Sequence, residues 1–88
     1  MKARKWDRVR LVTDMPAQAA TRSVIPAGTL GTVTEVYASP AEGYSVDLAI
    51  PDRESVTGYD YDCLVLRPDE FTVVMRYVED EAAQPATA

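Results

Sequence analysis

The residues best suited to chemistry lie close together near the end of the chain: Glu54, Asp60, Asp62 and Cys63, with Tyr59 and Tyr61 among them. Paired carboxylates can hold a divalent cation or share acid–base work, and a thiol becomes a nucleophile once a neighbour lowers its pKa. Each of these needs partners. The chain has no histidine to activate Cys63, and the flanking Asp60 and Asp62 disfavour a thiolate. Asp-x-Asp without the further ligands and glycine of a calcium loop reads as a solvated strand face. Cys63 then reads as a small, buried apolar residue. No catalytic residue, cofactor or metal site is expected, and without a Gly-rich phosphate cradle the sequence argues against an enzyme.

Composition narrows the setting. At 88 residues the chain is one domain, near the lower limit for building a core without staples. A single cysteine excludes an internal disulfide, which favours a reducing, cytoplasmic location. No apolar run is long enough for a signal peptide or a membrane span, so no membrane partner is expected. Residues 1–10 hold Lys2, Arg4, Lys5, Arg8 and Arg10 against Asp7 alone, whereas the remainder carries four basic and thirteen acidic residues, for a net charge of −5. An acidic body repels a phosphate backbone, which weighs against nucleic acid. Residues 1–5 read as a basic N-terminal arm, frayed and solvated.

Patterning supplies the elements that must position any site. RVRLVTD (8–14) alternates, with Val9 and Leu11 on one face, as a half-buried strand does. MPAQAATRS (15–23) reads as a long loop. In VIPAGTLGTVTEVY (24–37), Pro26 suits the second position of a tight turn and Gly28 the positive φ just after it. Gly31 falls inside the following strand, where a missing Cβ marks a bulge, a bend or a close backbone contact. YSVDLAI (44–50) alternates with Tyr44, Val46, Leu48 and Ile50 on one face. In VTGYDYDCLVL (56–66) the apolar residues change parity midway, which predicts a bulge or kink between Gly58 and Cys63. RPDE (67–70) predicts a short 3₁₀ turn, FTVVMRYV (71–78) a last strand, and residues 79–88 a polar tail. Short strands with turn signals between them predict an all-β fold, a small barrel.

The stretch IPAGTLGTV (25–33) resembles the turn and second strand of bacterial SH3-like barrels, including KOW domains and the barrel of the nitrile hydratase β subunit. DRVRLVTD, PAGTLGTVTEVY, GYSVDLAIPD and LRPDEFTVV together are similar to a family of small uncharacterised bacterial SH3-like domains, over residues 6–76. The resemblance implies a five-stranded SH3-like barrel spanning 6–78, with a short 3₁₀ turn before its last strand. It carries no activity with it.

A non-catalytic protein-interaction module or accessory subunit fits these readings best. The alternatives are an acidic antitoxin or immunity-type protein that binds a basic partner, and a KOW-like RNA or ribosome contact through the basic arm. The partner is expected to be another protein, of basic character. Its contact surface is placed on residues 15–24 and 39–43 beside the kinked 57–62 segment. There Tyr59 and Tyr61 would supply buried area, and Asp60 and Asp62 rim charge that speeds association. Pro26, Gly28 and Gly31 are assigned to the turn and bend.

Overall fold

Alternation of apolar residues, more than any single motif, decides where the strands form. A computed structural model describes residues 1–78. It contains β1 (Arg8–Leu11), β2 (Met15–Pro16), β3 (Val24–Ile25), β4 (Leu30–Tyr37), β5 (Gly43–Pro51), β6 (Tyr59–Leu66), a 3₁₀ turn (Pro68–Glu70) and β7 (Phe71–Met75). Five strands make one antiparallel sheet in the order β6-β5-β4-β1-β7, and β2 pairs with β3 in a small second sheet. The fold is all-β, with the 3₁₀ turn directly before the last strand, and no described helix is long and apolar enough to cross a membrane. The polar tail assigned to residues 79–88 lies outside the described residues.

The inner face of the sheet carries the core. Val9 and Leu11 of β1, Val33 of β4, Tyr44, Val46, Leu48 and Ile50 of β5, Leu64 and Leu66 of β6 and Phe71 of β7 are all buried, with Ile25 and Ala3 packed among them. Tyr44 and Phe71 meet edge to face, ring centroids 5.1 Å apart. Such a pair adds about 0.5–1.5 kcal/mol beyond the area it buries.

Several local expectations need correction. Residues 15–23 are not all loop, because Met15 and Pro16 pair with Ile25 and Val24. The first strand ends at Leu11. Thr29 N–H donates to the Pro26 carbonyl at 3.3 Å, so Pro26 opens the turn and Gly28, with φ 94°, is its third residue. Gly31 is a close contact and not a bulge. A Cβ there would meet Val46 Cγ1 at 2.6 Å and the Asp47 carbonyl at 2.9 Å. The bulge comes later, between Val33 and Glu35, where the register with β5 shifts. It swaps the parity of β4 so that Val36, in place of Glu35, packs toward the core.

The N-terminal residues are docked, not frayed. Lys2 N–H donates to the Tyr44 hydroxyl at 2.7 Å, the Lys2 ammonium sits 4.9 Å from the Phe71 ring centroid, and Ala3 is fully buried. Arg4 to Asp7 form a turn closed by Asp7 N–H on the Arg4 carbonyl, with Trp6 at φ 79°, a region bulky residues rarely adopt. Trp6 N–H on the Val33 carbonyl at 2.7 Å helps to hold it there. Asp7 is completely buried and accepts from Arg4 N–H at 2.9 Å, Tyr77 N–H at 2.8 Å and Arg76 Nη1 at 3.2 Å. Burial alone would push this carboxyl up. The N–H bonds from Arg4 and Tyr77, with the charges of Arg76 and Arg4, outweigh it and hold the pKa below its ordinary 3.8.

Four outcomes are expected. Gly31→Ala overpacks the core and costs about 1–3 kcal/mol in a denaturant melt. Gly28→Ala has open space around the new methyl, and costs only the about 1–2 kcal/mol of a left-handed backbone. Asp7→Ala leaves two N–H groups unpaired and costs about 2–3 kcal/mol at neutral pH. Because the native pKa is lowered, the Asp7 contribution is complete above the unfolded value and disappears as pH falls through the native one. The gap between wild type and Asp7→Asn should therefore close in acid.

Candidate functional site

The register of β6 organises the surface. Tyr44↔Leu66 through Pro51↔Tyr59 pair without a shift, so the kink expected between Gly58 and Cys63 is absent. Side chains alternate without interruption. Asp60, Asp62, Leu64 and Leu66 face inward, while Tyr59, Tyr61, Cys63 and Val65 are exposed. The parity change read from the sequence is real, but it reflects inward aspartates and not a switch of face. Cys63, expected to be buried, is exposed. Partial desolvation of its sulfur, with the nearby Asp47 and Asp62 charges, pushes the thiol up and away from nucleophilic use.

The aspartates act as loop anchors. Asp62 is 7% exposed, and its Oδ2 accepts from Gln18 N–H at 2.8 Å and Ala19 N–H at 3.0 Å. Asp60 Oδ2 takes Arg22 Nη2 at 3.1 Å and the Thr21 hydroxyl at 3.4 Å. The Arg22 hydrogen bond holds the Asp60 carboxyl below its usual range against the opposing effect of desolvation, helped by Tyr61 N–H, the Arg22 charge and Thr21. Four main-chain and side-chain donors of residues 18–22 thus close onto two carboxylates of β6. Neither aspartate is the free rim charge expected from the sequence.

With the aspartates turned in, the outer face is left to the tyrosines. Tyr59 and Tyr61 are 46% and 54% exposed, and their ring centroids are 6.4 Å apart. Tyr61 is paired with Ala49, and Ala49 with Leu30, so an apolar row crosses three strands. The next row runs Cys63, Asp47, Thr32 and Arg8. Pro51 and the backbone of Gly28–Gly31, with the side chains of these two rows other than Cys63, line an open groove of about 510 Å³. Its charged handles are one cation, Arg8, and one anion, Asp47. Gly28 and Gly31 therefore serve the turn, the packing and the groove wall together.

Of the segments assigned to a partner surface, the structure joins 15–24 to 57–62 through the aspartate bonds. The 39–43 turn is not part of it. Gly43 and Pro51 lie at opposite ends of β5, a separation of about 26 Å for an extended strand. Leu30, Ala49 and Pro51 were missed because each reads as an ordinary strand or turn residue. Only the cross-strand register brings them to the tyrosines. Among the described residues no group of three or more histidine, cysteine, aspartate or glutamate side chains is placed to hold a metal ion.

Comparison with protein-family models, with curated proteins and with solved structures gives no match.

Asp62→Ala is expected to free the Gln18 and Ala19 amides while leaving the outer row in place. Hydrogen exchange should accelerate selectively across residues 17–22, with a global loss of about 1–3 kcal/mol.

Proposed function

We propose that the chain is a non-catalytic protein-interaction module built on an SH3-like barrel, with the outer-face groove as its partner surface. The observation that carries this reading is the pair of half-exposed tyrosines beside Leu30, Ala49 and Pro51. Tyrosine gives large contact area at small entropic cost, and it is enriched where binding energy concentrates. An aromatic pair at the edge of an open apolar groove has no evident role in the core, which is complete without it. The strand order β6-β5-β4-β1-β7 and the 3₁₀ turn before the last strand support the barrel topology implied by the sequence resemblance. Asp47, together with the net charge of −5, suits a partner with a basic residue near its apolar contact. A reducing cytoplasmic setting suits the exposed thiol of Cys63.

A photo-crosslinking residue at Leu30, compared with one at Val12, tests the reading in the native cell. Val12 is also exposed but does not line the groove. One discrete protein product from position 30, absent from position 12, is the expected result. Tyr61→Ala should weaken binding of that protein by about 1–2 kcal/mol and leave the melting temperature nearly unchanged. No product at position 30, or wild-type binding by Tyr61→Ala, would remove the groove from consideration.

A further inference from the structure

Trp6 occupies a position that the backbone normally gives to glycine. Its N–H donates to the Val33 carbonyl at 2.7 Å, and Val33 N–H donates to the Asp7 carbonyl at 2.9 Å. Trp6 and Asp7 together therefore oppose Val33, as the two residues of a bulge do at the entry to β1. The first residue of such a bulge takes a left-handed backbone, here φ 79°, which glycine adopts without strain and a bulky residue does not. The strain is held by the neighbouring Asp7, whose buried carboxylate binds Arg4, Arg76 and Tyr77. The core does not take up the ring. Trp6 is 48% exposed, with the Lys5 ammonium 5.3 Å from its centroid.

The exposed side of β1 continues from this ring. Asp7, Val9 and Leu11 are buried, and Trp6, Arg8 and Arg10 alternate with them on the outside. Two residues of extended strand set Arg8 and Arg10 about 6.8 Å apart. Their cross-strand neighbours, Thr32 and Leu30 on β4 and Met75 and Thr72 on β7, carry no charge. Among the described residues neither arginine lies within ion-pair distance of a carboxylate. The net charge of −5 conceals this strip, because Asp7, Asp14, Asp60 and Asp62 bind main-chain N–H groups of the fold itself. Charges beyond about 8 Å are largely screened at physiological ionic strength. A ligand on β1 thus meets two free guanidinium groups beside an exposed indole, the residue types in which binding energy concentrates.

We propose that Trp6, Arg8 and Arg10 form a docking strip for an extended acidic segment of another protein, with carboxylates two residues apart and an apolar residue at the next alternate position. An extended chain presents alternate side chains at the same spacing as Arg8 and Arg10. Each carboxylate then meets one guanidinium in a charge-assisted pair, and the apolar side chain covers the Trp6 ring. Nucleic acid suits the strip less well. Its affinity grows with the number of phosphates neutralised, and this row of free cations is short, bounded by the Lys5–Glu35 pair at one end and exposed, apolar Val12 at the other. The strip adjoins the groove at Arg8 but extends beyond it, since Trp6 and Arg10 are not part of the groove lining.

Trp6 is the only tryptophan of the chain, so its emission reads docking directly. The probe is a capped peptide that alternates threonine with leucine, glutamate, glutamate and leucine, titrated at physiological ionic strength. A saturable change in emission with a dissociation constant in the high micromolar range is expected. A peptide with glutamine for glutamate, and one of the same composition with its glutamates adjacent, should each bind at least about fivefold more weakly. Arg10→Glu should weaken binding by a similar factor, whereas Tyr61→Ala should leave it unchanged, which separates the strip from the groove. Trp6→Gly, followed by calorimetry, restores the usual bulge residue and should also weaken binding; if it fails to fold, Arg10→Glu decides. Removing residues 79–88 should leave the affinity unchanged. A large gain on their removal would make Glu79, Asp80 and Glu81 of the chain itself the occupant and overturn the assignment to another protein. No saturation at millimolar peptide, equal binding of the glutamine peptide, indifference to Arg10→Glu, or tighter binding of a thymidylate oligomer of equal charge would also overturn it.

Discussion

Asp62 sits on the inner face of β6 with one carboxylate oxygen accepting from the N–H groups of Gln18 and Ala19. Strand side chains alternate, so this placement sends Tyr59, Tyr61, Cys63 and Val65 to the outer face. The energetic logic is that of a polar group inside a small protein. An unpaired carboxylate there would cost several kcal/mol, whereas one that satisfies two otherwise unpaired amides joins the loop to the sheet. Asp60 repeats the device one step along the strand through Arg22 and Thr21. The groove and the exposed thiol both follow from this phase of a single strand.

Asp7 performs the same task at the other end of the sheet. It gathers Arg4, Arg76 and Tyr77, and so ties the first residues of the chain to the segment that follows β7. Lys2 continues the closure onto Phe71 and Tyr44. The buried acidic groups in this acidic protein are therefore fasteners for segments that lack strand partners of their own. The N-terminal segment is thereby held against the start of β7, at the Phe71 carbonyl.

Much of the fold was legible where one face is cleanly apolar. Tyr44, Val46, Leu48 and Ile50 announce β5 without ambiguity, and Gly28 after Pro26 marks a turn that needs positive φ. Legibility failed where polar residues are buried. Asp60 and Asp62 share parity with Leu64 and Leu66, and a strict reading of that parity would have turned them inward. The assumption that aspartate stays in solvent produced a kink that does not exist and a buried cysteine that is exposed. The docked N-terminus was hidden because its anchors, Tyr44 and Asp7, are far away or unremarkable in sequence. The outer row could not be read at all before the register was known, since Leu30, Ala49 and Tyr61 come from three different strands.

Native thiol titration at Cys63 tests the phase of β6 most directly, because the groove depends on which parity faces out. One thiol per chain should react with a maleimide under native conditions, at the stoichiometry of the denatured protein and with the melting temperature preserved afterwards. A thiol that stays unreactive until the protein unfolds would place Cys63 and both tyrosines on the inner face, and would contradict the account of the groove.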